Sequence, residues 1–260
     1  MNKLYFLFAL VIVACSTPPP EAEEASSYDH LPEILLAGLE AHGGIDKWYE
    51  MQTLEYDLTK DSIAEHQLID LSTRKVLMTT NPDAYTLGFD GKEVWVSPEK
   101  AAFPGNSARF YHNLYFYFYA MPFIAADPGI NYEEMPNDSL NGEIYDAVKI
   151  SYNAGVGDAP DDEYILYFDQ ESHQMEWLLY TVTYFSGEKS TRFNAINYSK
   201  WQDLNGLRLP EVMTGYKFAN DSIGEKRYDR MFNNAKISTA PADQSIFEMP
   251  VQAEIDSLKI

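Results

Sequence analysis

An unbroken apolar run from Leu4 to Ala14 opens the chain, and periodic patterning resumes only at residue 31. There Ile34, Leu35, Gly38, Leu39 and His42 fall on one helical face, and Gly43-Gly44 supply the stop. A second short helix is expected over 45–50, carrying Trp48 and Tyr49. The period then changes from helical to alternating. Leu54, Tyr56 and Leu58 alternate with Glu55, Asp57 and Thr59, the pattern of a half-buried strand. Further strands are expected over 67–71 and 75–79. A hairpin is expected over 85–96, where Asp90-Gly91 suits a type I′ turn. Residues 107–121, between the capping residues Asn106 and Ser107 and the terminator Pro122, are apolar around the whole helical circumference. They read as one aromatic helix buried on all sides, too long for an ordinary strand. Beyond Asp146 alternation returns over 147–152, 164–168, 175–185, 190–201, 207–215 and 228–233. The connections are mostly short, which implies an antiparallel meander, because parallel pairs need long crossovers. The expected class is α+β: a curved antiparallel sheet, a half-barrel meander, with helices packed on its concave face.

The first run is too short to span a bilayer, and with Lys3 before it it has the form of an export signal over 1–14. It ends in Val-Ile-Val-Ala-Cys, which resembles the lipobox of bacterial lipoproteins, with Ile12 where Leu is commonest. Cys15, the sole cysteine of the 260 residues, then becomes the lipidated N-terminus. A mature chain of this kind has no thiol for disulfides, metal sites or nucleophilic catalysis. Residues 15–30, rich in Pro, Ser, Ala and Glu, read as a tether, 31–250 as one domain and 251–260 as a tail. With 40 acidic against 19 basic residues the net charge is −21. Such a body repels nucleic acid and anionic head groups, so membrane attachment falls to the acyl anchor. The expected product is a monomer held at the envelope, facing the periplasm or the cell surface.

Two resemblances follow from local motifs. Asp90-Gly91-Lys92-Glu93-Val94-Trp95 followed by Ser97-Pro98, and Asp243-Gln244-Ser245-Ile246-Phe247 with Pro250, resemble the LolA-like half-barrels of the outer-membrane lipoprotein-sorting superfamily. Residues 110–132, with Tyr-Ala-Met-Pro-Phe and Ala-Asp-Pro-Gly, resemble a narrower family of envelope lipoproteins catalogued as a domain of unknown function. Residues 180–185 and 205–210 match that family too. The wider resemblance implies a cleft between sheet and helices that holds acyl chains or other apolar ligands. Its candidate lining is Trp95, Phe110, His112, Leu114, Tyr117, Phe118, Met121, Trp177 and Trp201.

Motifs for catalysis are missing: there is no His-Glu-x-x-His, no Gly-x-Ser-x-Gly, no Walker loop and no dinucleotide fingerprint. No cofactor is implied. None of the five histidines is paired at metal-ligand spacing; His42 reads as interacting with the last helix carbonyls or reaching a cleft. Asp158, Asp161 and Asp162 form an oxygen-rich loop, a weak calcium candidate without EF-hand spacing. Asp-Ser-aliphatic recurs at Ser62, Ser139, Ser222 and Ser257, where average usage predicts about one match. It resembles an O-glycosylation signal, and Asp and Ser also co-occur simply as turn residues. The leading reading is a non-enzymatic lipoprotein binding a lipid or lipidated protein. A hydrolase of glycan or lipid ester acting through carboxylates, and a surface scaffold, stand as alternatives.

Overall fold

The computed structural model describes residues 28–257 apart from 61–62 and 82–83, so Cys15 and Ser62 lie outside the described residues. Two helices, α1 (Glu33–Ala41) and α2 (Ile45–Glu50), come first. A first meander follows: β1 (Thr53–Lys60), β2 (Ile63–Asp70), β3 (Val76–Asn81), β4 (Thr86–Phe89) and β5 (Val94–Ser97). A helical segment with α3 (Ala108–Tyr111) and α4 (Leu114–Tyr119) leads to the second meander. This consists of β6 (Ile130–Leu140), β7 (Glu143–Tyr152), β8 (Tyr164–Asp169), β9 (Met175–Tyr180), β10 (Asn194–Leu204), β11 (Leu207–Ala219) and β12 (Ser222–Ser238). β12 returns to pair with β1, and β13 (Glu254–Ile255) adds to β5. The result is one curved, open, antiparallel sheet of 13 strands with β13 and β6 at its edges.

Turn chemistry sets most registers. Asn205-Gly206, Asn141-Gly142 and Asn220-Asp221 each make a two-residue hairpin, every one of the six residues at positive φ. That is the type I′ requirement, which matches the twist of the flanking strands. Asp90-Gly91 departs from the expectation. The loop between the paired Phe89 and Val94 is four residues long, and Asp90 Oδ1 accepts the N–H groups of Lys92 and Glu93 at 2.8 Å. β6, absent from the sequence pattern, is a polar edge strand with a bulge at Pro136-Asn137 between the paired Met135 and Asp138. Charge, proline and a bulge protect an edge from adding further strands.

The aromatic stretch is not one helix but two, broken at His112-Asn113. Ser107 caps the first, accepting from Phe110 N at 3.2 Å. The break has a local cause. His112 Nδ1 bonds the Arg109 carbonyl at 2.5 Å, the acceptor that the Asn113 N–H would need to continue the helix. Phe116, Tyr119, Phe123 and Ile124 are nonetheless buried against the sheet. Tyr119 packs on Tyr56 of β1 and Phe232 of β12, Trp48 of α2 stacks on Phe123 at 4.8 Å, and the Tyr198 hydroxyl of β10 donates to the Phe118 carbonyl. On α1, Gly38 lets Phe168 of β8 approach so closely that a Cβ would lie 2.3 Å from the ring. The opposite sheet face has its own small core of Leu140, Tyr145, Ala147, Ile165, Tyr167, Leu179 and Ala195. Phe218 and Ile223, beside the β11–β12 turn, pack against it.

His42 does neither of the two things its position predicts. Fully buried, it takes the Met175 N–H on Nε2 (3.1 Å) and faces the Arg208 carbonyl with Nδ1 (3.0 Å), while its own carbonyl accepts from Arg208 N. The Nδ1 contact to a carbonyl fixes that nitrogen as the donor, so the ring is neutral and bridges β9 and β11. Burial lowers its pKa to about 4, and the same cause lowers that of His112 to about 4. Unfolded, both histidines take a proton near pH 6.5, well before they do so when folded. Stability is therefore complete above about pH 6.5 and falls as the pH drops from there to about 4, by roughly 3 kcal/mol for each histidine. Urea unfolding across that range should show the loss, and His42→Phe should remove its share of the pH slope. The same variant should cost about 2–4 kcal/mol at neutral pH, since two buried backbone groups lose their partner.

Candidate functional site

The break at His112-Asn113 turns side chains of α3 and α4 toward the β7–β8 loop, and a cleft of about 520 Å³ opens between them. One wall is Phe110, His112, Asn113, Leu114, Tyr117 and Phe118. The other is the loop from Val156 to Asp162 with Tyr152 and Tyr164 at the flanking strand ends. Arg74 from the β2–β3 turn, Phe89 at the end of β4, and Asp127 close the space. The size lies within the range of small-molecule sites, and the lining joins aromatic rings to a set of charged and polar side chains.

Those polar groups are held in place. Arg109 donates to both oxygens of Asp158, at 2.5 and 3.0 Å, and to the Lys92 carbonyl. These hydrogen bonds raise the arginine's pKa further. Arg74 Nη2 donates to both oxygens of Asp127 at 2.9 Å, and burial raises the pKa of Asp127 against the pull of that arginine. Asp162 is buried and accepts the Thr183 N–H at 2.6 Å; burial raises its pKa too. Tyr117, Tyr152 and Tyr164 feel one another and these carboxylates, and burial pushes all three phenols upward, so they stay protonated. His112, neutral with Nδ1 on a carbonyl, keeps Nε2 as a bare acceptor. Arg74 reaches the cleft from a strained position. It sits at φ +61° in the turn after β2, where Gly or Asn is usual. Its Nη1 is buried with no hydrogen-bond partner, as is Asn113 Oδ1. Each such orphan costs about 1–3 kcal/mol, more for a charged group.

Of the nine lining candidates, Phe110, His112, Leu114, Tyr117 and Phe118 come together here. The other four lie elsewhere. Trp95 is a core residue whose indole N–H donates to the Phe247 carbonyl at 3.2 Å above Gly88. Met121 is wholly buried. Trp177 packs with the opposite-face core, and Trp201 stacks on Tyr198 and meets His42 edge-on. In the acidic loop Asp158 is engaged by Arg109, and Asp162 accepts the Thr183 N–H. Among the described residues no cluster of three His, Cys, Asp or Glu is placed to hold a metal. Ser139 and Ser222 are exposed but sit in strands, Ser139 within β6 and Ser222 at the start of β12, rather than in loops. Asp256 is no free tail residue. It is buried, pairs with Lys100, and accepts from Ser107 Oγ and Arg109 N at the start of α3. Arg74, Asn113, Tyr152 and Tyr164 joined the site without any sequence signal, being brought in from turns and strand ends.

The chain is similar in structure to a DUF1329 family protein from Desulfovibrio piger, with TM-score 0.51, 10% identity, and 84% of this chain and 98% of that one covered. It is also similar to a LolA superfamily protein from Nitrosomonas europaea, with TM-score 0.46, 9% identity, and 76% and 89% covered. At these identities the first likeness is one of fold alone. No curated protein matches the chain. Residues 54–209 match the model of a family of unknown function, DUF6503, and this stretch includes both cleft walls. The chain belongs to the DUF6503 family.

Proposed function

We propose that this protein is a lipid-anchored envelope protein that binds an apolar or amphipathic ligand, a lipid or the acyl part of a lipidated protein, in the cleft beside α3 and α4. The observation that carries the reading is the aromatic cleft itself: about 520 Å³ left open in a segment whose other aromatics are fully packed. The helices lying over the inner, concave side of the curved sheet would give such a ligand its shelter from water. Hydrolysis is the weaker reading, because the cleft carboxylates are engaged. Asp127 and Asp158 are tied to arginines and Asp162 to a backbone N–H. A general acid needs a carboxyl free to deliver its proton. Anchoring through Cys15 and an envelope location rest on the lipobox-like run and the acidic body.

An environment-sensitive neutral probe, N-phenyl-1-naphthylamine, should bind the full chain saturably with a blue-shifted emission. Leu114→Trp, which fills a half-buried lining position, should weaken that binding by about tenfold or more while the melting temperature holds. Unsaturable, non-specific uptake by the wild type would sink the binding reading. In a Gram-negative host, Cys15→Ser should abolish incorporation of labelled palmitate; undiminished label would remove the anchor. Ser222 is exposed beside the two-residue Asn220-Asp221 turn, and intact mass from the native host should show hexose-type increments absent from Ser222→Ala.

A further inference from the structure

Tyr152 at the end of β7 and Tyr164 at the start of β8 stand on one face of the sheet. Tyr164 lies opposite Ile150 in the β7–β8 register, and Tyr152 is two residues beyond Ile150, so alternation sends both side chains the same way. Tyr164 also pairs with Tyr180 of β9, which packs on Phe118 of α4 at 4.7 Å, so this is the face that α4 covers. The Tyr152 and Tyr164 rings are 5.9 Å apart at an interplanar angle of 89°. Rings at a right angle make a corner, two aromatic walls meeting at an edge, and both residues are half-buried and line the cleft. Tyr117 of α4 lines it from the opposite wall, near enough for its phenol to act on both of the others.

The electrostatics of this corner have one sign. A ring face is the negative end of the aromatic quadrupole. The formal charges that act most on Tyr152 are the carboxylates of Asp127 and Asp162, and Asp162 acts on Tyr164 as well. Both guanidinium groups of the lining are committed, Arg74 to Asp127 and Arg109 to Asp158, and the lining contains no lysine. Asp162 is held by Thr183 and Thr181 and forms no ion pair among the described residues. An anionic head would meet carboxylates and ring faces here, whereas a cation is attracted by both. A primary ammonium brings three N–H donors that need acceptors, and these carboxylates already hold partners. A quaternary one donates nothing and is held by ring faces alone.

Building on the cleft reading above, we infer that the ligand is an amphiphile with a quaternary ammonium head. The head sits in the corner of Tyr152 and Tyr164 and faces Tyr117, while the apolar chain lies along Phe110, Leu114 and Phe118.

The test is displacement of N-phenyl-1-naphthylamine from the full chain at pH 8 by decyltrimethylammonium and by decanoate, whose chains match. At about 0.3 M salt the Debye length is roughly 6 Å, so the net charge of −21 no longer gathers cations over the surface at large. Decyltrimethylammonium should displace the probe at a concentration about tenfold lower than decanoate. Tyr152→Phe, which keeps the ring, should hold that preference to within about twofold, and Tyr152→Leu should reduce it to about threefold or less while the probe still binds saturably. If Tyr152→Leu does not melt cooperatively, Tyr117→Leu carries the same expectation. Decanoate displacing as well as or better than the cation in the wild type overturns the head-group assignment and leaves the cleft standing. A full preference surviving in the folded leucine variant overturns it too, because the cation then sits elsewhere. A probe that never binds saturably overturns both readings.

Discussion

One face of a 13-strand open sheet is more apolar surface than two short helices can cover. That is the constraint from which the remaining features follow. α1 and the turn after it account for the face near β8, β9 and β11, through Gly38 on Phe168 and through His42. The connection between the two meanders has to cover the rest, and it does so with rings. Tyr119 between Tyr56 and Phe232, and Phe123 under Trp48, occupy the centre of the sheet where β1 meets β12. Each buried aromatic contributes several kcal/mol against exposure. The aromatic density that looks excessive along residues 107–121 is what one connection needs to cover so wide a surface.

Rings fill space but orient poorly, and the chain supplies direction by other means. Glu65, fully buried on β2, accepts from the hydroxyls of Tyr85 (3.0 Å) and Tyr111 (2.6 Å) and pairs with Lys60 at 2.9 Å. Next to it Gln67 takes the Tyr56 hydroxyl. A buried carboxylate with this many partners is secured, since removing any one leaves a costly unpaired group. It pins α3 to the β2 side of the sheet. Asp256 pins the start of the same helix from the chain's far end. With one side of α3 so fastened, the side facing the β7–β8 loop is met only by the Arg109–Asp158 pair and by aromatic edges. The cleft opens on the less fastened side.

Much of this was legible from residue order alone, and the failures share a cause. Strands with alternating Leu, Tyr and Val were found because the period of two is local. β2 was recognised only from Gln67 because its inward positions are Glu65 and Gln67, polar residues that burial tolerates only with partners from β1, β4 and α3. β6 was missed because an edge strand protects itself with the proline and charges that argue against a strand. The single long helix was wrong for a reason one side chain holds: no propensity scale shows His112 taking the Arg109 carbonyl. Of the cleft candidates chosen from the helix itself all but Met121 met one another, while the three tryptophans went to three different places.

The cleft is also where local consistency is broken. Arg74 holds a left-handed backbone that its residue type disfavours, and it leaves one guanidinium nitrogen buried and idle. Asn113 stands at the helix break with its amide oxygen equally idle. Elsewhere the Tyr119 hydroxyl is the one other such atom among the described residues, while His42, Glu65 and Asp256 each gather two or more partners. A chain able to complete those buried groups had the means to complete these two, for instance with a hydroxyl from the β7–β8 loop. Strain and unpaired polarity that persist together beside an open space are stability given up for a site. Function is therefore better sought where this fold declines to satisfy itself than where its aromatics are densest.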